Sequence, residues 1–127
     1  MSSGLAKWHA YMQSGDPGRL ADLLDDDVVF ESPVVHTPQR GKAITLKYLQ
    51  SAGKVLDGPD FSYVGEWEAG NSAILEFENE IDGIKINGID MIWWNEAGLI
   101  TRFKVMVRPL KAINLLHQMM GAQLATG

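Results

Sequence analysis

The stretch AILEFENEIDGIKINGIDMIWW, residues 73–94, decides the fold of this chain. Its first half alternates apolar and mainly acidic side chains, which is the period-two pattern of a strand with one buried and one solvated face. Asp82-Gly83 then interrupts the pattern with a residue pair that is typical of a two-residue hairpin turn. The stretch therefore predicts two antiparallel strands, at 73–82 and 84–95, joined by a tight turn.

Strand-like segments flank this hairpin on both sides. One covers residues 61–69 and ends at Gly70-Asn71, and another covers residues 99–107 after Glu96-Ala97-Gly98. Short connections of this kind join antiparallel neighbours, because a parallel pair needs a crossover of roughly a dozen residues or more. The four segments together predict an antiparallel meander.

The residues before the meander have a helical period instead. Leu5, Trp8 and Met12 recur at steps of three and four residues, which predicts a first helix. Asp16-Pro17 opens a short second helix as its N-cap and first helical residue. We expect the acidic triplet at 25–27 to be the solvated end of that helix rather than a metal site, since consecutive carboxylates point in different directions.

A short strand is predicted at 28–32, and an irregular connection follows it as far as Gly41. A third helix begins near Lys42, and a terminal helix follows Arg108-Pro109. Helices that precede a strand meander are typical of the α+β class. With 127 residues, the chain is expected to form a single domain that spans 1–127.

The composition excludes several classes of function. Sixteen acidic against 11 basic residues give a net charge of −5 at pH 7, which argues against nucleic acid or a membrane surface as a partner. The chain has no cysteine, so thiolate chemistry and disulfides are excluded. His9, His36 and His117 lack the spacing of metal ligands, and no nucleotide-binding motif is present, so we predict neither a metal nor a cofactor. No apolar run of signal-peptide length occurs, and the expected location is therefore the cytoplasm.

Asp90 does not fit the pattern of its strand. It shares a face with Ile92 and Trp94, where a carboxylate is costly unless it is hydrogen-bonded or protonated. We therefore expect its pKa to be raised, which is a signal of a functional site. Two alternatives are a register that turns Asp90 to the outer face, and local amides that satisfy its carboxylate.

The opposite face of the same strand is apolar as well. Ile89, Met91 and Trp93 occupy it, whereas the preceding strand carries glutamates there. An exposed apolar patch of this kind marks a partner surface, and a homodimer is the simplest partner. The alternative is that the terminal helix, which is rich in Leu and Met, covers these side chains.

Five motifs follow one another along the chain: Gly15-Asp16, Leu20-Ala21-Asp22-Leu23-Leu24, Glu31-Ser32-Pro33-Val34 with Pro38 and Gly41, Gly88-Ile89-Asp90, and Asn95-Glu96-Ala97-Gly98. In this order the sequence resembles the NTF2-like superfamily, in particular its SnoaL-like and ketosteroid-isomerase-like members. The resemblance covers about residues 5–108. It implies a cone-shaped α+β fold, in which a curved antiparallel sheet wraps around the N-terminal helices and leaves an apolar cavity. It also implies dimers that form through the outer face of the sheet.

The resemblance also assigns residues, and two of them depart from the pattern. Asp90 stands where ketosteroid isomerases have a carboxylic acid that an apolar site keeps protonated. Ser32 replaces the general-base aspartate of that group, and Trp8 replaces the tyrosine of its oxyanion hole. A serine without a base cannot accept a proton near neutral pH, and tryptophan donates a hydrogen bond but never a proton.

The candidate site combines the resemblance with the strand alternation. We predict Asp90 as the catalytic acid/base, with a small apolar molecule bound by Trp8, Ser32, Tyr48, Asn79, Phe77, Ile92, Trp94 and Phe103. The first hypothesis is a SnoaL-like enzyme of the isomerase or cyclase type that acts on an apolar carbonyl or polyketide-like substrate. The other hypothesis is a non-catalytic module of the same fold that holds a hydrophobic ligand or dimerises.

Overall fold

The computed structural model describes residues 3–126, which contain four helices and six strands. None of these helices is long and apolar enough to cross a membrane. In chain order the elements are α1 (Ser3–Ser14), α2 (Pro17–Leu23), β1 (Leu24–Glu31), β2 (Gln39–Arg40), α3 (Lys42–Leu56), β3 (Ser62–Ala69), β4 (Ser72–Ile81), β5 (Ile84–Trp94), β6 (Ile100–Arg108) and α4 (Leu110–Thr126).

The predicted meander is confirmed, and with it the α+β class. Strands β3 to β6 pair in chain order, each antiparallel to the next. β1 and β2 extend the curved, open sheet beyond β6, so that the strand order is β2-β1-β6-β5-β4-β3. The sheet is not antiparallel throughout, because β1 runs parallel to β6. Helix α3 and four strands separate these two strands in the chain, so no hairpin constrains their relative direction.

The helix starts agree with the prediction. The Asp16 carboxylate caps α2 by accepting a hydrogen bond from Gly18 N at 2.9 Å, and Pro17 is the first helical residue. Helix α3 begins at Lys42. The connection predicted to be irregular contains the two-residue strand β2, which pairs with β1.

The beginning of β1 differs from the prediction. The acidic triplet at 25–27 does not end α2 but lies within β1, which starts at Leu24. The register between β1 and β6 shifts between Leu24 and Val29, so extra residues of β1 bulge out of the ladder. Asp26 and Asp27 are exposed in this bulge.

All four helices pack on one face of the sheet. One core cluster joins α1, α2 and α3 to that face and includes Leu20 and Ile92. A second cluster includes Phe77 and, from α4, Leu116. Because α4 packs against the same inner face, the alternative in which it covers the outer side chains Ile89, Met91 and Trp93 is wrong.

Candidate functional site

The helices and the concave face of the sheet surround a cavity of about 590 Å³. Helices α1, α3 and α4 contribute to its wall, together with inward side chains of β1, β3, β4, β5 and β6. Most of the wall is apolar, with Trp8, Phe30, Phe61, Phe77, Phe103 and Leu116 among its side chains. Sites for small, largely apolar molecules have this size and this character.

Asp90 is a buried carboxyl in this wall. It lies on the inner face of β5, opposite Leu75 on β4 and Val105 on β6. Only 8% of the residue is exposed, and it lines the cavity. Asp90 thus occupies the face that the alternation predicts, and the register that would turn it outward does not occur.

Two hydrogen bonds in series hold the Asp90 carboxyl. Tyr63 Oη, on β3, donates to Asp90 Oδ2 over 2.6 Å. Trp8 Nε1, on α1, donates to Tyr63 Oη over 3.2 Å. A phenol from two strands away therefore satisfies the carboxyl, in place of the local amides considered above.

The environment of Asp90 changes its acidity. Burial raises the pKa of Asp90 from its ordinary value of 3.8 to about 7, and the hydrogen bond from Tyr63 opposes part of this rise. Burial, and then the neighbouring charge of Asp90, raise the pKa of Tyr63 above its ordinary value. Near neutral pH, Tyr63 therefore stays protonated while Asp90 is divided between its acid and carboxylate forms.

Two further hydroxyl groups lie on the cavity wall. Ser32 Oγ accepts a hydrogen bond from Val34 N at 3.1 Å. The Tyr11 ring lies 5.3 Å from that of Trp8, measured between ring centroids, and burial raises the pKa of its phenol. Within residues 3–126 neither hydroxyl donates a hydrogen bond, so each can donate one to a ligand.

Five of the predicted site residues line the cavity: Trp8, Ser32, Phe77, Asp90 and Phe103. The other four do not. Tyr48 packs its ring on a phenylalanine of β1, and Asn79 Nδ2 donates over 3.0 Å to the last carbonyl group of α3. Ile92 and Trp94 belong to the core cluster below α1. Strand alternation identifies the face of a side chain but not its position along the strand, and these residues lie beyond the cavity.

Tyr63 and Tyr11 are polar residues of the cavity wall that the sequence did not predict, and Tyr63 is the one that contacts Asp90. A signal for it existed, because Phe61 and Tyr63 alternate with polar Ser62 at the start of a predicted strand. The alternation then fails, since the register of β3 shifts between Tyr63 and Gly65. This bulge conceals which face of β3 turns inward.

The chain is similar to known proteins in both sequence and fold. The family model described as SnoaL-like domain matches residues 5–103. Curated protein sequences gave no significant match. A solved steroid delta-isomerase from Pseudomonas aeruginosa is 35% identical, with a TM-score of 0.90 over 97% of this chain and 90% of that chain.

Two other solved structures are similar. An uncharacterised protein with a cystatin-like fold from Silicibacter pomeroyi is 29% identical, with a TM-score of 0.87 over 97% of this chain and 86% of that one. An NTF2-like protein of unknown function from Mesorhizobium loti is 18% identical, with a TM-score of 0.70 over 84% of this chain and 88% of that one, which is a likeness of fold. The predicted resemblance is confirmed, and the chain belongs to the SnoaL-like domain family.

Proposed function

We propose that this protein binds a small, largely apolar carbonyl compound in its cavity and that Asp90 moves a proton on that compound, in chemistry of the isomerase or cyclase type. The observation that carries the proposal is a buried carboxyl with a pKa of about 7 on an apolar cavity wall. The similarity to a steroid delta-isomerase over almost the whole chain supports it.

The chemistry follows from the pKa of Asp90. A group that titrates near 7 is present in both forms at neutral pH, which is the optimum for general acid/base catalysis. The carboxylate takes a proton from a carbon next to the carbonyl group, and the resulting acid returns that proton to another carbon of the same molecule. In a carbonyl compound that carries a neighbouring carbon–carbon double bond, this transfer shifts that double bond and restores Asp90, so no other reactant is consumed. Tyr11 and Ser32 are placed on the wall to donate hydrogen bonds to the ligand.

A second function, ligand binding without turnover, is favoured by one observation. Ser32 stands where the resembled isomerases have their general base, and its oxygen accepts a hydrogen bond from Val34 N. A hydroxyl group in this arrangement supplies no second base. The protein would then be a carrier or sensor of a hydrophobic molecule.

Ligand binding is expected to depend on both the carbonyl oxygen and the pH. We expect 2-acetonaphthone to bind about fivefold more tightly than 2-isopropenylnaphthalene below pH 6, because only the ketone accepts a hydrogen bond from protonated Asp90. Above pH 8 this preference falls, since the carboxylate has no proton to donate and only the hydroxyl groups of Tyr11 and Ser32 remain as donors. Isothermal titration at both pH values measures the two affinities, and equal affinities at both would contradict the proposed contact.

Proton exchange distinguishes the enzyme from the binding module. In D₂O near pH 7, the protein is expected to accelerate exchange of the methyl protons of 2-acetonaphthone, which lie next to the carbonyl group. The Asp90→Asn variant should lose this acceleration, because an amide neither accepts nor donates the proton that is transferred. NMR follows the loss of the methyl signal. Binding of the ketone without any exchange would support the non-catalytic module instead.

We propose in addition that a second copy of this chain binds to the outer face of the sheet. Four adjacent strands carry an apolar patch on this face. Two of its side chains are strongly exposed, since 57% of the surface of Trp67 and 46% of that of Met106 are accessible to solvent. Arg102 and Lys104 lie beside the patch on β6, where they share one carboxylate, that of Glu31. The members of the patch are Trp67, Ile74, Ile89, Met91, Trp93 and Met106.

The charges around the patch suit a second copy. Glu78 faces outward on β4, and Arg108 faces outward on β6 at the same level, because both lie beside Asn87 on β5. A twofold axis along β5 places β4 of one copy over β6 of the other without a shift along the strands, so Glu78 of each copy lies over Arg108 of the other.

Trp93→Glu is expected to weaken this association by at least about 30-fold, because it removes a large aromatic side chain from the patch and introduces a charge among its apolar members. Sedimentation velocity should show the variant as a monomer at concentrations where the unchanged protein is a dimer. Ile44→Glu is the matched control, since Ile44 is also partly exposed but lies on α3, away from the patch. A dimer that persists in the Trp93 variant would exclude this face as the interface.

A further inference from the structure

We propose that Tyr63, supported by Trp8, is a positioning residue that keeps the dissociable proton of Asp90 on Oδ1, the carboxyl oxygen that faces the cavity. This inference deepens the proposed function and rests on it. It assigns a role to a hydroxyl group on β3 that is the only link between Asp90 and α1 among the hydrogen bonds of the described residues.

The direction of each hydrogen bond follows from the donor types. The indole nitrogen of Trp8 can only donate, so Tyr63 Oη must accept at that contact. The Tyr63 proton is then left for the other neighbour, Asp90 Oδ2, which lies 2.6 Å away. Oδ2 therefore acts as an acceptor in both charge states of Asp90, and the acid proton is left to Oδ1.

Asp90 Oδ1 has no partner within the described part of the chain. Among the fully buried side-chain nitrogen and oxygen atoms of residues 3–126, only Thr45 Oγ1 lacks a hydrogen bond. Since Asp90 Oδ1 lacks one as well, it is not fully buried by protein atoms. Asp90 lines the cavity, and Oδ1 is therefore the oxygen that a bound molecule meets. The protonated carboxyl presents a single donor to the ligand.

Few charged or titratable groups surround this arrangement. The strand partners of Asp90 are Leu75 and Val105, which do not titrate. The cavity side chains of α4 are apolar. The titratable groups that face the cavity from other elements are Tyr11 on α1, Tyr63 on β3, and Lys54 and Asp57 at its α3 side, both exposed. Outside the cavity, the His9 ring of α1 lies edge-on to the Tyr63 ring and contacts Glu66 on β3.

A class of ligand follows from the fixed proton. Oδ1 can donate only while Asp90 is protonated, and it then matches an acceptor oxygen such as a ketone, ester or quinone carbonyl. Trp8 also strengthens the hydrogen bond between Tyr63 and Asp90, because its own hydrogen bond polarises the Tyr63 hydroxyl group. Tyr63 thereby stabilises the carboxylate relative to the acid, in line with its lowering effect on the pKa of Asp90.

The test is the titration of the Asp90 carboxyl carbon, followed by NMR in the full-length protein. Tyr63→Phe should move the midpoint upward by about one pH unit, since the carboxylate loses its hydrogen bond. Trp8→Phe should move it in the same direction by less, and it serves as the second variant if Tyr63→Phe does not fold. Tyr48→Phe is the matched control, because it removes a phenol outside the cavity and should leave the midpoint unchanged.

The possible results separate this inference from the proposed function. An unchanged midpoint in Tyr63→Phe overturns the positioning role even if Asp90 titrates near 7. A midpoint near 4 in the unchanged protein overturns the proposed acid, whereas an upward movement in Tyr63→Phe still supports positioning. As a second readout, the preference of Tyr63→Phe for 2-acetonaphthone over 2-isopropenylnaphthalene below pH 6 should fall about twofold, because the proton is then shared between the two carboxyl oxygens instead of being confined to Oδ1. A preference that is retained in full contradicts the inference.

Discussion

Asp90→Asn is expected to resist urea better than the unchanged protein at pH 8, and about equally at pH 4. The pKa of Asp90 is about 7 in the folded protein, against an ordinary value of 3.8. Between these values the folded chain holds a proton that the unfolded chain has released, so stability decreases as pH rises through this window. The loss of unfolding free energy is on the order of 4 kcal/mol above pH 7. Asparagine avoids it because the amide does not ionise and its oxygen can still accept from Tyr63.

Urea unfolding at several values between pH 5 and pH 8 measures this effect. Glu31 affects the unfolding free energy in a lower pH range, because the hydrogen bond from Arg102 lowers the pKa of Glu31 below its ordinary value of 4.5. Its contribution to stability is present above that value and is lost as pH falls further, so it stays nearly constant between pH 5 and pH 8. Asp60→Asn, an exposed control, should follow the unchanged protein. If the unfolding free energies of Asp90→Asn and the unchanged protein changed with pH in parallel, the ionisation of Asp90 would not destabilise the folded protein.

The sequence contains most of the fold because periodicity reports local geometry directly. The hairpin at Asp82-Gly83 and the inward face of Asp90 could both be predicted, since each depends on neighbours in the same strand pair. The parallel pairing of β1 with β6 could not, because it joins segments that are far apart in the chain and have no turn between them. The prediction for the acidic triplet at 25–27 was wrong for the same reason, since Leu24 and Val29 on either side of it pair with β6 and so make it part of β1.

The candidate site was less accessible to sequence reasoning than the fold. Asp90 could be identified from the sequence because it is a charged residue among apolar neighbours. Tyr63 could not, because tyrosine is common in strands and its role depends on a hydrogen bond to Asp90, which lies two strands away. Conversely, Asn79 was conspicuous as a polar residue on the inner face, but it bonds to the end of α3 rather than to the cavity. A polar residue on a buried face indicates a partner, and only the three-dimensional arrangement shows whether that partner is a ligand or the backbone.

Gly88→Ala is expected to destabilise the protein by about 3 kcal/mol, the upper part of the usual range for an overpacked core. A Cβ atom at this position would lie 2.5 Å from Phe77 Cζ and 2.7 Å from the carbonyl oxygen of Met106. The carbonyl belongs to the backbone of β6 and is fixed by the sheet. Phe77 is fully buried, so it cannot move outward. Urea unfolding of the variant measures the loss.

The same substitution connects the packing of β5 with the cavity. The Phe77 ring stacks on Phe61 with 5.4 Å between the ring centroids, and both rings line the cavity. Displacing Phe77 therefore takes space from the ligand, and we expect the affinity for 2-isopropenylnaphthalene to fall together with stability. Gly121→Ala is the control, because Gly121 lies on α4 outside the cavity, a Cβ there meets no atom within 4 Å, and alanine favours the helix by about 0.5–1 kcal/mol. If Gly88→Ala retained both stability and affinity, β5 would have to shift to accommodate the methyl group. The absence of a side chain at Gly88 would then not be required to maintain the cavity beside Asp90.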